Sequence, residues 1–209
     1  MSENQESNSN TSQSLLEAQK ERQYQYWETV YSREFRFFEW IGDWATEIRP
    51  LVSEYLHPAK KVLHIGCGNS KMSEQLLDDN FDEVINLDFS PQIINTMKEH
   101  YKDNPKLSWI IGDCADLPFS DESFDYVFDK SALDAITCGE RFQESVPNTF
   151  KEVTRVLKSN GYFILSSLGM FESNDAYLNL ASNLKLQRRI SFLPNGASST
   201  HFVYIYQKE

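Results

Sequence analysis

The sequence predicts an α/β protein whose core is a doubly wound, seven-stranded sheet, mostly parallel and closed by an antiparallel last strand. Short apolar segments typical of buried strands alternate with helical segments five times between residues 62 and 184. A run of β-α units favours a parallel sheet with helices on both faces. Two further strand segments follow, joined by the turn Pro194-Asn195-Gly196, which indicates an antiparallel pair. The first strand also ends in a glycine-rich turn, as in sheets that bind a ligand at their carboxyl edge.

The individual elements follow from their apolar spacing and their end signals. Ser90-Pro91, for example, supplies the cap and the first residue expected of a helix. Helices are expected at about Lys71–Asp79, Pro91–Tyr101, Ser145–Leu157 and Asp175–Leu184. Strands are expected at about Val62–Ile65, Val84–Leu87, Leu107–Ile111, Phe124–Phe128, Tyr162–Leu165, Lys185–Phe192 and His201–Gln207.

The N-terminal quarter of the chain differs from the rest in composition. Residues 1–13 are rich in Ser, Asn and Gln, which predicts a disordered tail. Apolar residues at helical spacing then predict a helix from Ser14 to Ser32. A dense aromatic stretch, Phe35–Trp44, and a second helical segment, Trp44–Leu56, follow. Aromatic residues at this density indicate either core packing or a lid against the core.

At 209 residues the chain is long enough for one domain with a sizeable core. We expect residues 14–209 to form that domain. Within it, residues 14–57 would be a helical, aromatic cap on the core sheet of residues 58–209.

The chain is acidic, with a formal net charge of −11 and a pI of about 4.9. An acidic chain repels the phosphate backbone, so nucleic acid is not an expected partner and a basic protein fits better. No segment approaches the ~18 apolar residues of a membrane span, so no membrane partner is expected. A monomer is the default expectation for the oligomeric state.

The cysteines and the N-terminus favour the cytoplasm. Cys67, Cys114 and Cys138 are scattered and odd in number, which suits a reducing compartment and not a disulfide framework. No spacing typical of metal ligands is present. The N-terminus has neither the apolar core of a signal peptide nor an Arg-rich amphipathic presequence.

The turn Gly66-Cys67-Gly68-Asn69-Ser70 is the first candidate ligand site. Glycine lets the backbone turn sharply and approach a ligand, because no Cβ is in the way. The helix that follows directs its free N–H groups at the same place. The dinucleotide pattern G-x-G-x-x-G fails, since Lys71 occupies the third glycine position.

Two aspartates follow the next two predicted strands. Asp88 ends the second strand about twenty residues after the turn, where a carboxylate can accept two hydrogen bonds from a ribose diol. The third strand ends in Gly112-Asp113-Cys114. Because the carboxyl ends of parallel strands share one edge, all three motifs are expected around one ligand.

The three motifs together resemble the class I S-adenosylmethionine (SAM) dependent methyltransferases, which have a Rossmann-like fold. The resemblance implies SAM as the cofactor and S-adenosylhomocysteine as the product. It implies that Asp88 holds the ribose and that Phe89 packs beside the adenine. It places Asp113 and Cys114 at the adenine edge and lets the methionine portion lie over Gly66.

One position departs from the resemblance. Most class I enzymes carry Asp or Glu two residues before the first glycine, where the carboxylate organises the methionine amino group, but this chain has His64. His64 would act through water, or it would be a strand residue with a satisfied ring. Lys130, at the end of the fourth strand, is the expected alternative contact to the cofactor.

A finer resemblance rests on four stretches: Gln25-Tyr26-Trp27, Phe38-Glu39-Trp40-Ile41-Gly42-Asp43, the glycine turn, and Asp129-Lys130-Ser131-Ala132-Leu133-Asp134-Ala135. Together they resemble the lysine methyltransferases of translation elongation factor 1-alpha, the methyltransferase-like 13 group. This implies an enzyme that methylates a lysine of a protein such as that factor. The cofactor contacts it implies are Trp27, Tyr31, Trp40, Gly66, Asp88, Phe89, Asp113, Cys114 and Lys130.

Asp134 is the candidate for guiding the substrate lysine, and a helix-capping role is its alternative interpretation. Two other functions stay open: a small-molecule methyltransferase with the same cofactor site, and a SAM-binding subunit without catalysis. A citrate-synthase-type lysine methyltransferase is a near relative by motif, but the missing mitochondrial presequence argues against it.

Overall fold

The computed structural model describes residues 3–169 and 183–209. The helix expected at residues 175–184 therefore falls almost entirely outside the described residues, and Leu184 begins a strand. Over the described ranges, no helix combines the length and the apolar character that a bilayer crossing requires.

Seven strands form one sheet in the order β3-β2-β1-β4-β5-β7-β6. Neighbouring strands are parallel except at β7, which is antiparallel to both β5 and β6, so the predicted fold class is confirmed. The strands are β1 (Ala59–Ile65), β2 (Phe81–Asp88), β3 (Leu107–Ile111), β4 (Phe124–Lys130), β5 (Leu157–Ser167), β6 (Leu184–Phe192) and β7 (His201–Lys208).

Within residues 3–169 and 183–209, six α-helices accompany the sheet. They are α1 (Glu3–Tyr31), α2 (Arg49–Val52), α3 (Met72–Leu77), α4 (Pro91–His100), α5 (Ala132–Thr137) and α6 (Phe142–Val156). A π-helical turn, Trp44–Ile48, precedes α2 and a 3₁₀ turn, Ser53–Tyr55, follows it, so the expected helical segment is present as three short pieces.

Helix α1 begins at Glu3, where the sequence predicted a tail up to residue 13 and a helix from Ser14. Its end at Tyr31 lies one residue from the expected end. The division of the chain into tail, cap and core sheet stays a prediction.

Local end signals explain several helix starts. The Ser90 hydroxyl accepts a hydrogen bond from the Ile93 amide, and Pro91 is the first residue of α4, as the sequence predicts. Asp43 caps the π-helical turn in the same way, accepting from the Thr46 amide at 2.9 Å. Such side-chain caps satisfy amides that have no partner inside the helix.

Three elements differ from the expectation. Helix α5 was not predicted, and α6 begins at Phe142, so that Pro147 lies inside it. Strand β5 begins at Leu157, where the sequence predicted the end of a helix, and not at the expected Tyr162. Asn160 adopts a positive φ of 64°, and the pairing of β4 with β5 shifts register over this stretch. Asn160 therefore marks a local irregularity inside a strand that pairing with β4 keeps continuous.

The core consists of two hydrophobic clusters, one on each face of the sheet. Along β1, Leu63 and Ile65 belong to one cluster and Val62 belongs to the other, as the alternation of strand side chains requires. The first cluster includes residues of α6 such as Phe150. The second includes Trp44 with residues of α3. Helices thus cover both faces and leave the carboxyl edge of the sheet for a ligand.

Candidate functional site

A cleft of about 810 Å³ lies at the carboxyl edge of β1, β2 and β4, with α1 and the aromatic stretch on its other side. Its volume falls in the range of small-molecule sites. All the candidate site residues line this one cleft: Trp27, Tyr31, Trp40, Gly66, Asp88, Phe89, Asp113, Cys114, Lys130 and Asp134. The structure therefore brings together residues that span more than half of the sequence.

The glycine turn after β1 has the backbone that the sequence predicts. Gly66 and Gly68 adopt φ values of +56° and +49°, which favour glycine. A Cβ on Gly66 would lie 2.4 Å from the Cβ of Ala132, and one on Gly68 would lie 3.0 Å from the Tyr31 hydroxyl oxygen. The backbone conformation therefore disfavours a side chain at both positions, and at Gly66 the lack of space also excludes one.

Asp88 places a buried carboxylate beside this turn. Its Oδ2 accepts a hydrogen bond from the Gly68 amide and its Oδ1 accepts one from the Ser90 amide, both at 3.0 Å. Burial raises the pKa of Asp88 to about 6, and these amides partly oppose the rise. Because a carboxylate has about four acceptor positions, Asp88 can accept further hydrogen bonds from a ligand diol.

The far side of the cleft combines apolar walls with one exposed carboxylate. The ring of Phe89 meets the ring of Tyr24 edge to face, with centroids 6.2 Å apart. Cys114 is buried, and burial raises the pKa of its thiol, so it is a neutral wall residue. Asp113 is half-exposed at the edge, accepts from the Ala115 amide at 2.9 Å and has Lys20 at 3.7 Å.

Aromatic rings form the mouth of the cleft. The Trp27 ring stacks on Tyr31 and contacts Trp40 edge to face, with centroids 5.7 and 6.0 Å apart. Trp40 in turn contacts Phe38 at 4.9 Å, and Tyr26 flanks Trp27 at 5.3 Å. Tyr26, Phe38 and Trp40 are 61%, 49% and 47% exposed, so they present apolar surface to solvent at the entrance.

Helix α1 lies over the cleft and is joined to the core on both sides by polar contacts. On one side the Ser90 hydroxyl donates to the Glu28 carboxylate, and on the other the Arg22 guanidinium donates to Glu140 at 3.0 Å. The Gln92 side chain also donates to the backbone carbonyl of Tyr31, at 3.1 Å. Hydrogen bonds made by side chains therefore hold α1 in position as one wall of the cleft.

His64 is a satisfied strand residue. Its Nδ1 lies 3.3 Å from the hydroxyl of Ser73, which donates to Asn86 at 2.5 Å. Burial first, and the charge of Lys130 second, lower the pKa of His64 to about 3, so the ring is neutral at physiological pH. Of the two interpretations of this departure, the geometry agrees with the satisfied ring.

Glu39 is a polar residue beside the cleft to which the sequence analysis gave no role of its own. Its carboxylate lies 2.7 Å from the Lys130 ammonium and also accepts from the Ser70 hydroxyl and the Lys71 amide, each at 2.8 Å. Two features of the sequence point to it. Glu39 is an acidic residue inside the aromatic stretch, and His64 leaves the usual acidic position in β1 without a carboxylate.

The carboxylate of Asp134 joins α5 to the end of β5. Oδ1 accepts from the Ser167 hydroxyl at 2.6 Å, and Oδ2 accepts from the Ser131 hydroxyl at 3.0 Å and the Leu168 amide at 3.1 Å. These bonds agree with a role at the helix start, although Ser131 and not Asp134 is the cap residue. The substrate-guiding role of Asp134 stays a prediction.

Comparison with protein families and curated proteins gives a consistent result. A family model described as "Methyltransferase domain" matches residues 63–165. The human eEF1A lysine and N-terminal methyltransferase is 37% identical over 147 residues, which is 68% of this chain and 21% of that protein. The mouse EEF1A lysine methyltransferase 4 is 35% identical over 153 residues, covering 68% of this chain and 60% of that protein. The chain thus spans about a fifth of the first relative.

Solved structures show the same fold at low sequence identity. The N-methyltransferase NodS of Bradyrhizobium japonicum, in complex with S-adenosylhomocysteine, has a TM-score of 0.62 and 15% identity over 77% of this chain and 83% of that one. The PH0226 protein of Pyrococcus horikoshii has a TM-score of 0.63 and 23% identity over 86% and 99% of the two chains. The solved structures show the fold, and the family model with the relatives shows that the chain belongs to the SAM-dependent methyltransferases, with sequence similarity to the eEF1A lysine methyltransferases.

Proposed function

We propose that this protein transfers a methyl group from SAM to a lysine side chain of a protein such as translation elongation factor 1-alpha. The observation that carries the proposal is the single cleft in which a glycine turn, the buried Asp88 carboxylate and an exposed aromatic mouth face one another. The names of the relatives support the choice of a lysine in that factor.

The residues of the cleft fit the cofactor. Asp88 would accept the ribose hydroxyls, and Phe89 with Cys114 would enclose the adenine, whose edge Asp113 would reach. The space kept free by Gly66 would take the methionine portion. When bound, SAM supplies a methyl group already activated by its sulfonium, so the protein chiefly has to align and desolvate the nucleophile.

The aromatic mouth suits a lysine side chain. A lysine is an apolar stem with a charged tip, so Tyr26, Phe38 and Trp40 can pack against the stem while aromatic faces attract the ammonium. Removal of water at this point lowers the pKa of an ammonium, and an ammonium must lose its proton before it attacks a methyl group. A protein with a net charge of −11 also attracts a basic segment.

Asp134 is proposed to guide the incoming lysine from the substrate side of the cleft. It lines the cleft, and its carboxylate is held by Ser131, Ser167 and the Leu168 amide, so its position is well defined. A carboxylate held in one place would orient an ammonium before the proton is lost.

The proposal includes a cytoplasmic monomer without nucleic-acid or membrane partners. All three cysteines are free, which suits a reducing compartment. The acidic net charge disfavours binding to the phosphates of nucleic acids or anionic lipids.

The test is methyl transfer from labelled SAM into a eukaryotic cell extract and into purified elongation factor 1-alpha. We expect one labelled protein of the size of the factor, with the label mapped to a lysine by mass spectrometry. An extract whose amines are blocked by acetylation should accept no label, because an amide nitrogen is not a nucleophile, and Asp88→Ala enzyme should transfer none.

The other outcomes separate the alternatives. Label found only in small molecules would favour a small-molecule methyltransferase. Cofactor binding without transfer to any acceptor would favour a SAM-binding subunit without catalysis, and either result would overturn the lysine proposal.

A further inference from the structure

The Lys130 ammonium is nearly inaccessible to water, with only 2% of its side chain exposed. A buried cation needs a nearby anion, because taking an unpaired charge out of water is energetically costly. His64 lies near Lys130, which contributes to the lowered pKa of its ring, but the ring is neutral and cannot act as the counter-ion. Asp129 precedes it in β4, but its two carboxylate oxygens accept the amides of Ala132 and Leu133 at 2.8 and 3.1 Å. Glu39, at 2.7 Å, is therefore the counter-ion.

Glu39 comes from outside the sheet, on a segment that is tied to the glycine turn. The Phe38 amide donates to the Asn69 carbonyl at 3.2 Å, and the Asn69 side chain donates to the Arg36 carbonyl at 2.6 Å. The Glu39 carboxylate adds hydrogen bonds from the Ser70 hydroxyl and the Lys71 amide. The segment thus holds one carboxylate against both the turn and Lys130.

Lys130 faces the cleft next to the turn. In the parallel pair of β1 and β4, Ile65 lies opposite Asp129, so Lys130 is level with Gly66. Both residues line the cleft, whereas Glu39 does not. An ammonium has three N–H donors, and the contact with Glu39 occupies one of them. Lys130 can therefore present a charged donor to an anionic group that lies over Gly66.

We propose that Glu39 is a positioning residue that pairs with the Lys130 ammonium and holds it directed at the carboxylate of the cofactor's amino-acid end. The inference rests on the proposed function, since it takes the cofactor to lie over Gly66. It predicts that the N-terminal segment completes the cofactor site through one buried ion pair, and that Glu39 affects only ligands that carry the amino-acid group.

Two ligands test this directly. S-adenosylhomocysteine has the amino-acid end, and 5′-methylthioadenosine shares the nucleoside and the sulfur but lacks that end. Glu39→Gln keeps the size and one acceptor of the side chain but removes its charge. By calorimetry we expect this variant to bind S-adenosylhomocysteine about 10- to 30-fold more weakly and 5′-methylthioadenosine within about twofold of the unmodified protein.

The matched control is Glu34→Gln, the same change on an exposed carboxylate five positions away that pairs with Arg36. It should alter neither affinity. Lys130→Met and the double variant Glu39→Gln/Lys130→Met should both lose affinity for S-adenosylhomocysteine to a similar extent, because either change removes the charged donor. The double variant buries no unpaired charge, so it provides the comparison if the single variant folds poorly.

Two results would overturn the inference. One is an equal loss of affinity for both ligands in Glu39→Gln, which would mean that Glu39 only holds the segment in place. The other is unchanged affinity for S-adenosylhomocysteine. If the unmodified protein bound 5′-methylthioadenosine and S-adenosylhomocysteine equally weakly, the proposed function itself would fail, and the inference with it.

Discussion

The two walls of the cleft are built in different ways. The core wall is held by backbone bonds of the sheet: the Cys67 amide donates to the Leu87 carbonyl and the Gly112 amide to the Asp88 carbonyl, both at 3.0 Å. The cap wall, formed by α1 and the aromatic residues from Phe35 to Trp40, is held mainly by side chains such as Glu28, which contact residues far away in the sequence.

Because of this difference, we expect mutations in the two walls to affect the stability of the fold and the binding of the ligand to different extents. The apolar residues of the core wall belong to the two hydrophobic clusters, so changes to them affect folding as well as the ligand. The cap wall exposes much of its apolar surface and rests on the core through polar contacts that water can replace. Changes there should alter the affinity or the release of the ligand and leave the fold in place.

The largest expected effect comes from two tryptophans four residues apart. Trp44 is fully buried, donates its indole N–H to Asp79 at 2.9 Å and packs on Phe128. Trp44→Ala should therefore lower the free energy of unfolding by about 3–5 kcal/mol. Trp40→Ala, at a half-exposed ring of the cap wall, should cost less than about 1 kcal/mol.

Urea unfolding of both variants measures this difference. Similar losses of stability in Trp40→Ala and Trp44→Ala would contradict the division into two walls, since they would place the cap wall in the core. Trp40→Ala should instead weaken the binding of S-adenosylhomocysteine.

The next effect concerns Asp88, on the core wall. Asp88→Ala should weaken the binding of S-adenosylhomocysteine by about 100-fold or more, because the ribose hydroxyls lose a charged acceptor. The fold should persist, since the change also removes a buried carboxylate whose pKa is raised by desolvation. Calorimetry gives the affinity and circular dichroism the fold. Micromolar binding by the variant would contradict the ribose assignment.

A smaller effect should appear on lowering the pH. The pKa of Asp88 is raised to about 6, so in the absence of cofactor the folded protein gains a proton there as the pH falls through that value. Ribose hydroxyls donate to the ionised form. From pH 7 to pH 5 the affinity for S-adenosylhomocysteine should therefore fall about tenfold.

The same shift sets the sign of a stability effect. Because the folded-state pKa of Asp88 is raised, its contribution to stability is fully present below pH 4 and is lost as the pH rises through about 6. Asp88→Asn should remove this pH dependence both from the affinity for S-adenosylhomocysteine and from the free energy of unfolding. A profile of binding that keeps its slope in Asp88→Asn would assign the titration to another group.

The smallest effect is expected at the ion pair of Arg22 and Glu140, which joins α1 to the loop before α6. Both side chains are about half-exposed, so solvent screens the pair. Glu140→Gln should leave the melting temperature unchanged and speed the release of S-adenosylhomocysteine at most about threefold, as measured by stopped-flow fluorescence. A large drop in melting temperature would show that α1 is part of the folding core.

The elements that the sequence predicted well depend on neighbours along the chain. The glycine turn, the cap of α4 by Ser90 and the position of Asp88 at the end of β2 each follow from residues within one element or its boundary. Helix α5 and the start of β5 at Leu157 were missed, because they depend on contacts with Ser167 and on pairing with β4.

The sequence by itself determined the α/β class, the order of most elements and the motif residues that line the cleft, because local spacing and turn chemistry encode them. Only the tertiary structure decided that β7 lies between β5 and β6 and that Glu39 reaches Lys130. It also showed that the Asp134 carboxylate is bonded to the end of β5. Such pairings join residues distant in the chain, and the free energy of burying a charge or aligning a strand depends on surroundings that exist only after folding.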